Sequence, residues 1–360
     1  MKKVLIVLAV LVVIAVLGVI GVYTWYNIQQ EAVDKSSEDT IRVEIPEKTN
    51  LEKIASILEE KGVIRNAFVM KVYCKLNKIN NLQAGKYDLA KNEGLADILK
   101  HLQDGDVAHD EIKITFIEGK NMRWVAKRIA EKTPNTEEEV FALLEDEAYI
   151  DSLIEKYWFL TEVIKDENIY YPLEGYLMPD TYLFEQDDCS VKTIFSIMLN
   201  SMDKFLAPYK ESIENSGYTV HELLTLASMA ELEAHLDEDR AEVVGVFLNR
   251  IKKKMSLGSD VTTYYAAKVD MAERDLYKKE LNAENPYNTR GPNMIAKLPI
   301  GPICNPSISS IKAAFNPKET TALFFVSDKN NKTYFSDTEA EQQKVIKDLK
   351  ANGMWYTYDN

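Results

Sequence analysis

Glu231 is the residue of this 360-residue chain whose type and setting best suit proton exchange. It stands in the run TVHELLTLASMAELEAHLDEDRAEVVGVFLNR, residues 219–250. Thr219 and Glu222 have the T-x-x-E spacing of a capping box, which starts a helix there. Leu224, Ala227, Glu231 and Ala234 then recur at intervals of three and four, so they share one helix face. A carboxyl group among apolar neighbours loses hydration, and that loss favours its protonated form. A general acid needs that form near neutral pH. Periodicity also admits, and by itself favours, a plainer reading in which Glu231 stands at the edge of the stripe with its head in water. Glu233 lies about 200° round the same helix, so the two acids form no facing dyad.

The elements that must position this acid follow a membrane-type start. Met1, Lys2 and Lys3 precede an uncharged, apolar run from Val4 to Tyr26. About 23 residues at 1.5 Å each give roughly 34 Å, enough to cross a hydrocarbon core. The run ends in Tyr23, Trp25 and Tyr26, an interfacial aromatic belt, and no small-residue cleavage pattern follows. The expectation is a retained transmembrane helix over 4–26, a cytoplasmic stub at 1–3 and an exterior remainder, because Lys2 and Lys3 hold the N-terminus inside. Residues 27–40 are polar and read as a linker.

Next comes a repeat. Val43 to Glu47 leads into Leu51, Ile54, Ala55 and Leu58; Ile114 to Glu118 leads in the same register into Met122, Val125, Ala126 and Ile129. Each copy reads as a short strand, a turn and an amphipathic helix. The first copy continues through a second helix and a strand near Tyr87, with a further short helix at Leu95, Ile98 and Leu99. No aromatic cluster marks a sugar platform in that segment. Residues 136–160 are acidic and helical by pattern, with Thr136 opening a capping box, and Glu339 to Leu349 forms a last amphipathic helix.

Composition removes several function classes. Hydrophobic content of 46% and charged content of 28% suit a globular chain. A net charge of −14 argues against non-specific binding of nucleic acid or anionic lipid, but not against a neutral glycan. Cys74, Cys189 and Cys304 are odd in number and far apart, so they form no disulfide framework and no zinc ribbon. H-E-x-x-H, G-x-S-x-G, the P-loop and G-x-G-x-x-G are all missing, so no metal and no cofactor are expected. His101, His109, His221 and His235 show no triad pattern and read as surface or capping residues.

The segment ASMAELEA followed by DEDRAEVVGVFLNR resembles the A-S-x-x-E-K-E and E-R-x-x-V-A-x-V-F-x-N-R-L stretch of the MltG (YceG-like) endolytic murein transglycosylases. Further matching blocks keep the family's order: LEGYLMPDTYLF at 173–184, LGSDVTTYYA at 257–266, NPYNTR at 285–290, LPIGPICNPSISSIKAAFNP at 298–317 and LFFVSD at 323–328. The resemblance covers nearly all of the chain beyond the apolar run. It implies an α+β fold: the transmembrane helix, a small LysM-like subdomain over 41–110, and a mixed α+β catalytic region over 111–360. The LysM-like part would either hold N-acetylglucosamine glycan or serve only as packing.

The same resemblance implies an activity. The enzyme would cut peptidoglycan strands between N-acetylmuramic acid and N-acetylglucosamine, close a 1,6-anhydro end and limit strand length. It would act at the cell membrane beside penicillin-binding proteins. One acid suffices, because the muramic 6-hydroxyl attacks within its own sugar and proximity replaces a second carboxylate. By the matched motif Glu231 is that acid and base. Glu174, Asp180, Asp260, Tyr287, Asn288 and Thr289 are the candidates for substrate binding, with a turn-capping role the alternative for Asp180 and loop restraint the alternative for Asp260. The sequence departs from the family pattern at Leu232, Gly258, Val261, Arg290 and Gln342, which touches subsite contacts rather than the acid. A water-using muramidase and a non-catalytic scaffold of the elongation machinery are the competing readings.

Overall fold

Asparagine side chains start the first helix of each repeat copy. Asn50 Oδ1 accepts from Lys53 N at 2.9 Å, and Asn121 Oδ1 accepts from Trp124 N at 3.2 Å. Both therefore satisfy an orphan amide of a first helical turn, at the same register of the repeat. The computed structural model describes residues 2–105 and 111–355. The chain divides into two units, Met1–Asp110 and Glu111–Asn360, and together helices and short antiparallel ribbons make an α+β fold.

The first unit begins with α1 (Lys2–Gln30). From Ile6 to Gln30 it is long and apolar enough to cross a membrane, with a mean hydropathy of 3.1 and no buried part. Then come β1 (Thr40–Ile45), α2 (Leu51–Glu60), α3 (Ala67–Leu76), β2 (Gly85–Ala90) and α4 (Leu95–Asp104). β1 and β2 pair antiparallel from Thr40 opposite Ala90 to Ile45 opposite Gly85. Strand alternation sends Val43, Ile45, Tyr87 and Leu89 into a core with Leu58, Met70 and Ile98. The outward pair Arg42 and Asp88 forms an ion pair at 2.8 Å. The polar segment 27–40 is not a free linker. Its first residues complete α1, and the Arg65 guanidinium binds the carbonyls of Glu31, Ala32 and Val33. The exposed guanidinium thereby pins the turn that follows α1.

The second unit holds β3 (Glu111–Thr115), α5 (Met122–Lys132), α6 (Glu137–Leu144), α7 (Glu147–Lys156), β4 (Thr181–Glu185) and α8 (Val191–Leu206). α9 (Lys210–Ser216), α10 (Val220–Glu233), α11 (Asp237–Lys252), α12 (Asp260–Ala266) and α13 (Lys278–Leu281) follow. α14 (Ile308–Phe315), β5 (Phe324–Ser327), β6 (Thr333–Ser336) and α15 (Glu339–Ala351) complete it. The repeat diverges after α5. β1 finds its partner inside the first unit, whereas β3 pairs with β4, from Glu111 opposite Glu185 to Thr115 opposite Thr181.

α10 forms at the capping box read from sequence: Thr219 Oγ1 accepts from Glu222 N, and Glu222 Oε2 accepts from Thr219 N. It is not the one-striped helix that the periodicity suggests. Leu223 to Ala230 are all buried, because α11 and α14 pack on it as the central helix of the unit. Cys74, Cys189 and Cys304 are buried free thiols.

Gly175 shows how tightly the second unit closes. Its φ is +84°, and a Cβ there would lie 2.3 Å from Pro302 Cβ. Gly217 shares a left-handed φ of +76° but has open space around it. Gly175→Ala should destabilise the unit by about 2–4 kcal/mol, combining backbone strain with overpacking, and Gly217→Ala by only about 1–2 kcal/mol. Thermal unfolding followed by circular dichroism would rank the two; equal losses would remove the steric argument.

Candidate active site

The Glu231 carboxylate meets the N-terminus of α14. Its Oε2 accepts from Ser307 N at 2.9 Å, Ser307 Oγ at 2.6 Å and Ser310 Oγ at 2.6 Å. Its Oε1 accepts only from Arg240 Nη2, at 3.2 Å. An anion is favoured at that helix end, where unpaired amides and the helix dipole converge. Ser307 is also the α14 N-cap: its Oγ accepts from Ser310 N at 3.2 Å and from Arg240 Nη1 at 2.7 Å. Arg240, on the first turn of α11, binds Asp237 Oδ1 at 2.8 Å as well. The side chains of Glu231 and Arg240 are 8% and 10% exposed. The expected apolar setting of Glu231 is thus corrected, as is the plainer one in open water. Its backbone belongs to the buried helix, but its head sits in a polar cradle. Oε2 is held by three donors and Oε1 by one, so Oε1 is the less heavily bonded oxygen.

One cavity opens on this acid and a second lies beside it. One, of about 750 Å³, is polar: Glu118, Asp180, Asp237, Arg240, Ser307 and Lys312 line it together with Glu231. The other, of about 310 Å³, is lined by Trp124, Leu232, Val261, Tyr264, Tyr265 and Met271 and by the turn 119–121. The division falls between Glu118 and Gly119 on one strand of chain and between Glu231 and Leu232 on the other. Gly119 has a φ of +71°, and a Cβ there would stand 3.5 Å from both Glu231 Cγ and Leu232 Cδ2.

Behind the acid, three buried side chains fix the turns. Ser228 Oγ, one helical turn before Glu231, accepts from Ile303 N at 3.0 Å and so seats the segment that ends at Ser307. Asn305 Oδ1 accepts from Gly175 N and Leu177 N, and its backbone exchanges bonds with Gly119 and Lys120. The third is Glu174. It was expected to line a cleft, but it is 1% exposed and cannot reach substrate. Its Oε2 accepts from Met122 N and from the Tyr265 hydroxyl, both at 2.9 Å, so it joins the head of α5 to the aromatic wall; its Oε1 has no partner.

The other expected site residues separate. Asp180 lies at the end of the β3–β4 ribbon and on the polar cavity; its Oδ1 also accepts from Thr181 N at 2.7 Å. It caps no helix, since β4 follows it. Asp260 opens α12 and pairs with Arg290, which restrains the 285–290 loop. Tyr287, Asn288 and Thr289 are fully buried, which corrects the expectation that they meet a pyranose. Tyr287 packs on Tyr170 and Tyr265 with ring centroids 4.8 Å away. Asn288 donates to the carbonyls of Glu280, Leu281 and Ala283, and Thr289 Oγ1 accepts from Ser259 N. They are internal fasteners of an irregular segment, whose backbone groups need partners once water is excluded. His221 is also buried rather than at the surface, held between the Tyr176 hydroxyl and the Ile300 carbonyl. His109 lies outside the described residues. Sequence reasoning missed Arg240, Ser307, Ser310 and Trp124. The S-x-x-S spacing ahead of an apolar run was a legible helix-cap signal for Ser307.

Burial pushes the Glu174 carboxyl up to about 7, against the opposing pull of its two donors and of Arg123. Between the ordinary carboxylate range and that value, the folded chain binds more protons than the unfolded one, so stability falls as pH rises through the window. The full effect is on the order of 3 kcal/mol. Glu174→Gln keeps an acceptor for Met122 N and Tyr265 but has no charge. Its melting temperature should fall less than the parent chain's between pH 5 and pH 8, measured by calorimetry; parallel curves would disprove the assignment.

The model of the YceG-like family matches residues 43–348. The chain is 36% identical over 316 residues to the endolytic murein transglycosylase of Bacillus subtilis strain 168, covering 88% of this chain and 86% of that one. It is 31% identical over 331 residues to the endolytic murein transglycosylase of Streptococcus pneumoniae serotype 2, covering 87% of this chain and 59% of that longer protein. Among solved structures, a putative YceG-like protein from Listeria monocytogenes superposes with a TM-score of 0.61 at 35% identity, over 86% of this chain and all of that one. The acid on the central helix, its cradle at the next helix cap and these matches in sequence and fold place the chain in the YceG-like family.

Proposed function

We propose that this chain is an endolytic murein transglycosylase, a lyase that cuts peptidoglycan strands at the bond from N-acetylmuramic acid to N-acetylglucosamine. One observation carries the reading: the Glu231 carboxylate, with three donors on Oε2 and one on Oε1, lines the polar cavity next to the aromatic one. Protonated at Oε1, Glu231 gives its proton to the glycosidic oxygen as that bond breaks. The carboxylate left behind keeps its four donors and faces the positive charge that develops at the anomeric carbon. It then takes the proton of the muramic 6-hydroxyl, whose oxygen closes on the anomeric carbon. The proton count balances and no water is consumed. Intramolecular attack supplies the proximity that a second catalytic carboxylate would otherwise have to provide.

The remaining elements suit this work. α1 has the length and apolarity of a single-pass anchor, and the charge asymmetry of Lys2 and Lys3 favours the other residues outside the cytoplasm. Tethering would hold the acid near newly made strands and raise its effective concentration there, beside the penicillin-binding proteins that make them. The strand–helix–helix–strand order of the first unit supports a LysM-like module.

Glu231→Gln should leave the melting curve near that of the parent chain and lower turnover by at least about a thousandfold, since the amide can neither give nor take the proton. Products of the parent chain on uncrosslinked strands, weighed by mass spectrometry, should carry muramic ends lighter by one water and spread over many lengths early on. Hydrolysed ends would mean that water replaced the 6-hydroxyl, and intact strands that bind would mean a scaffold. For the anchor, the chain recovered from membranes should still start at or near Met1; a soluble form starting after Tyr26 would refute tethering.

A further inference from the structure

We propose that a strand crosses the site in one direction, with the N-acetylglucosamine side of the broken bond in the aromatic cavity and the muramic side in the polar one. This rests on the reading of Glu231 given above and adds the polarity of the substrate to it.

The two cavities differ in ways that match the two sugars. The aromatic cavity is less than half the volume of the other and has mostly carbon walls, with Trp124, Tyr264 and Leu232 among them. Trp124 is half-buried, with the Arg128 guanidinium 6.0 Å from its ring centroid. Pyranose rings present C–H faces to such rings, and an N-acetyl methyl fits carbon walls. N-acetylglucosamine carries no ether substituent on its ring and so needs no further room. Muramic acid bears a lactyl group that continues into peptide, which calls for the larger cavity and for a polar wall, with Lys312 placed to meet a carboxylate. The reacting centre argues the same way. Positive charge develops on the muramic ring and not on the leaving sugar. The polar cavity holds the carboxylates of Glu118 and Asp180 beside Glu231, and the aromatic cavity holds only Asp270. A cationic transition state is steadied on the acidic side.

Gly119 marks the crossing point. The strand must pass from Glu231 to Leu232, and a side chain at 119 would stand against both. The leaving oxygen then lies over this boundary, within reach of Oε1.

The test separates the two sides by what each variant changes. On the full chain in detergent, Trp124→Leu should raise KM for uncrosslinked strands about tenfold and change kcat less than threefold, with Trp124→Phe restoring most of it. Asp180→Asn should do the reverse, lowering kcat about tenfold with KM nearly fixed. A direct arm needs no turnover. In the Glu231→Gln chain, chitotetraose, which contains only N-acetylglucosamine, should bind by calorimetry, weaken about tenfold with Trp124→Leu and stay unchanged with Asp180→Asn. Weakening by Asp180→Asn with none from Trp124→Leu would reverse the strand. Loss from both alike, or no binding in either, would remove the assignment. If the parent chain makes no cut while chitotetraose binding depends on Trp124, the transglycosylase reading fails and the aromatic subsite stands.

Discussion

The site in the second unit depends on the contact between the Glu231 side chain and the N-terminus of an eight-residue helix. α14 is too short to persist alone, and its first amides have no partners within it. Glu231 supplies an acceptor from the last turn of α10, and Ser307 supplies the cap. Arg240 comes from the start of α11 and closes the set. Three helices that bury much of the core therefore share one charged node. Truncating Glu231 would leave the three donors on its Oε2 without an acceptor, whereas the isosteric amide keeps an acceptor there and Arg240 keeps Asp237 as its counter-charge. Structural need and the proposed chemical need coincide at the same three side chains.

That node also decides which oxygen can react. A carboxylate with both oxygens equally solvated can rotate and present either one. Here the three donors on Oε2 forbid the exchange, and Arg240 sets the plane from the other side. The turn around Gly119 is held by Asn305 and Glu174, both of them buried. Their role is to keep a gap between two cavities from closing by as little as one methyl group.

Much of this was legible in the sequence, for identifiable reasons. Capping boxes ahead of a periodic run announce helix starts, and those read at Thr136 and Thr219 both form. The acid was picked out by its match to the family motif, since periodicity alone favoured a place in open water. Its cradle was not, because Ser307 and Ser310 are far away in the chain and look like any helix cap. Arg240 was hidden in a charged run that reads as a solvated face. Tyr287, Asn288 and Thr289 misled in the opposite sense: residues suited to holding a sugar are equally suited to fastening a buried irregular segment. No local pattern separates the two, because the difference is where the segment ends up.

The strand pairings set an order of assembly. β1 and β2 close a loop running only from residue 45 to residue 85, within a unit that has its own core. β3 must wait for β4, from residue 115 to residue 181, and the enclosed stretch includes α5, α6 and α7. The turn 119–121 and Trp124, as well as Glu174 and Asp180, lie inside that longer loop. Glu231, Arg240 and Ser307 come after it in the chain. During synthesis the first unit can therefore be complete while the second is still a set of helices with an open ribbon. The site can form only last, once the residues that follow residue 300 are available to cap the central acid.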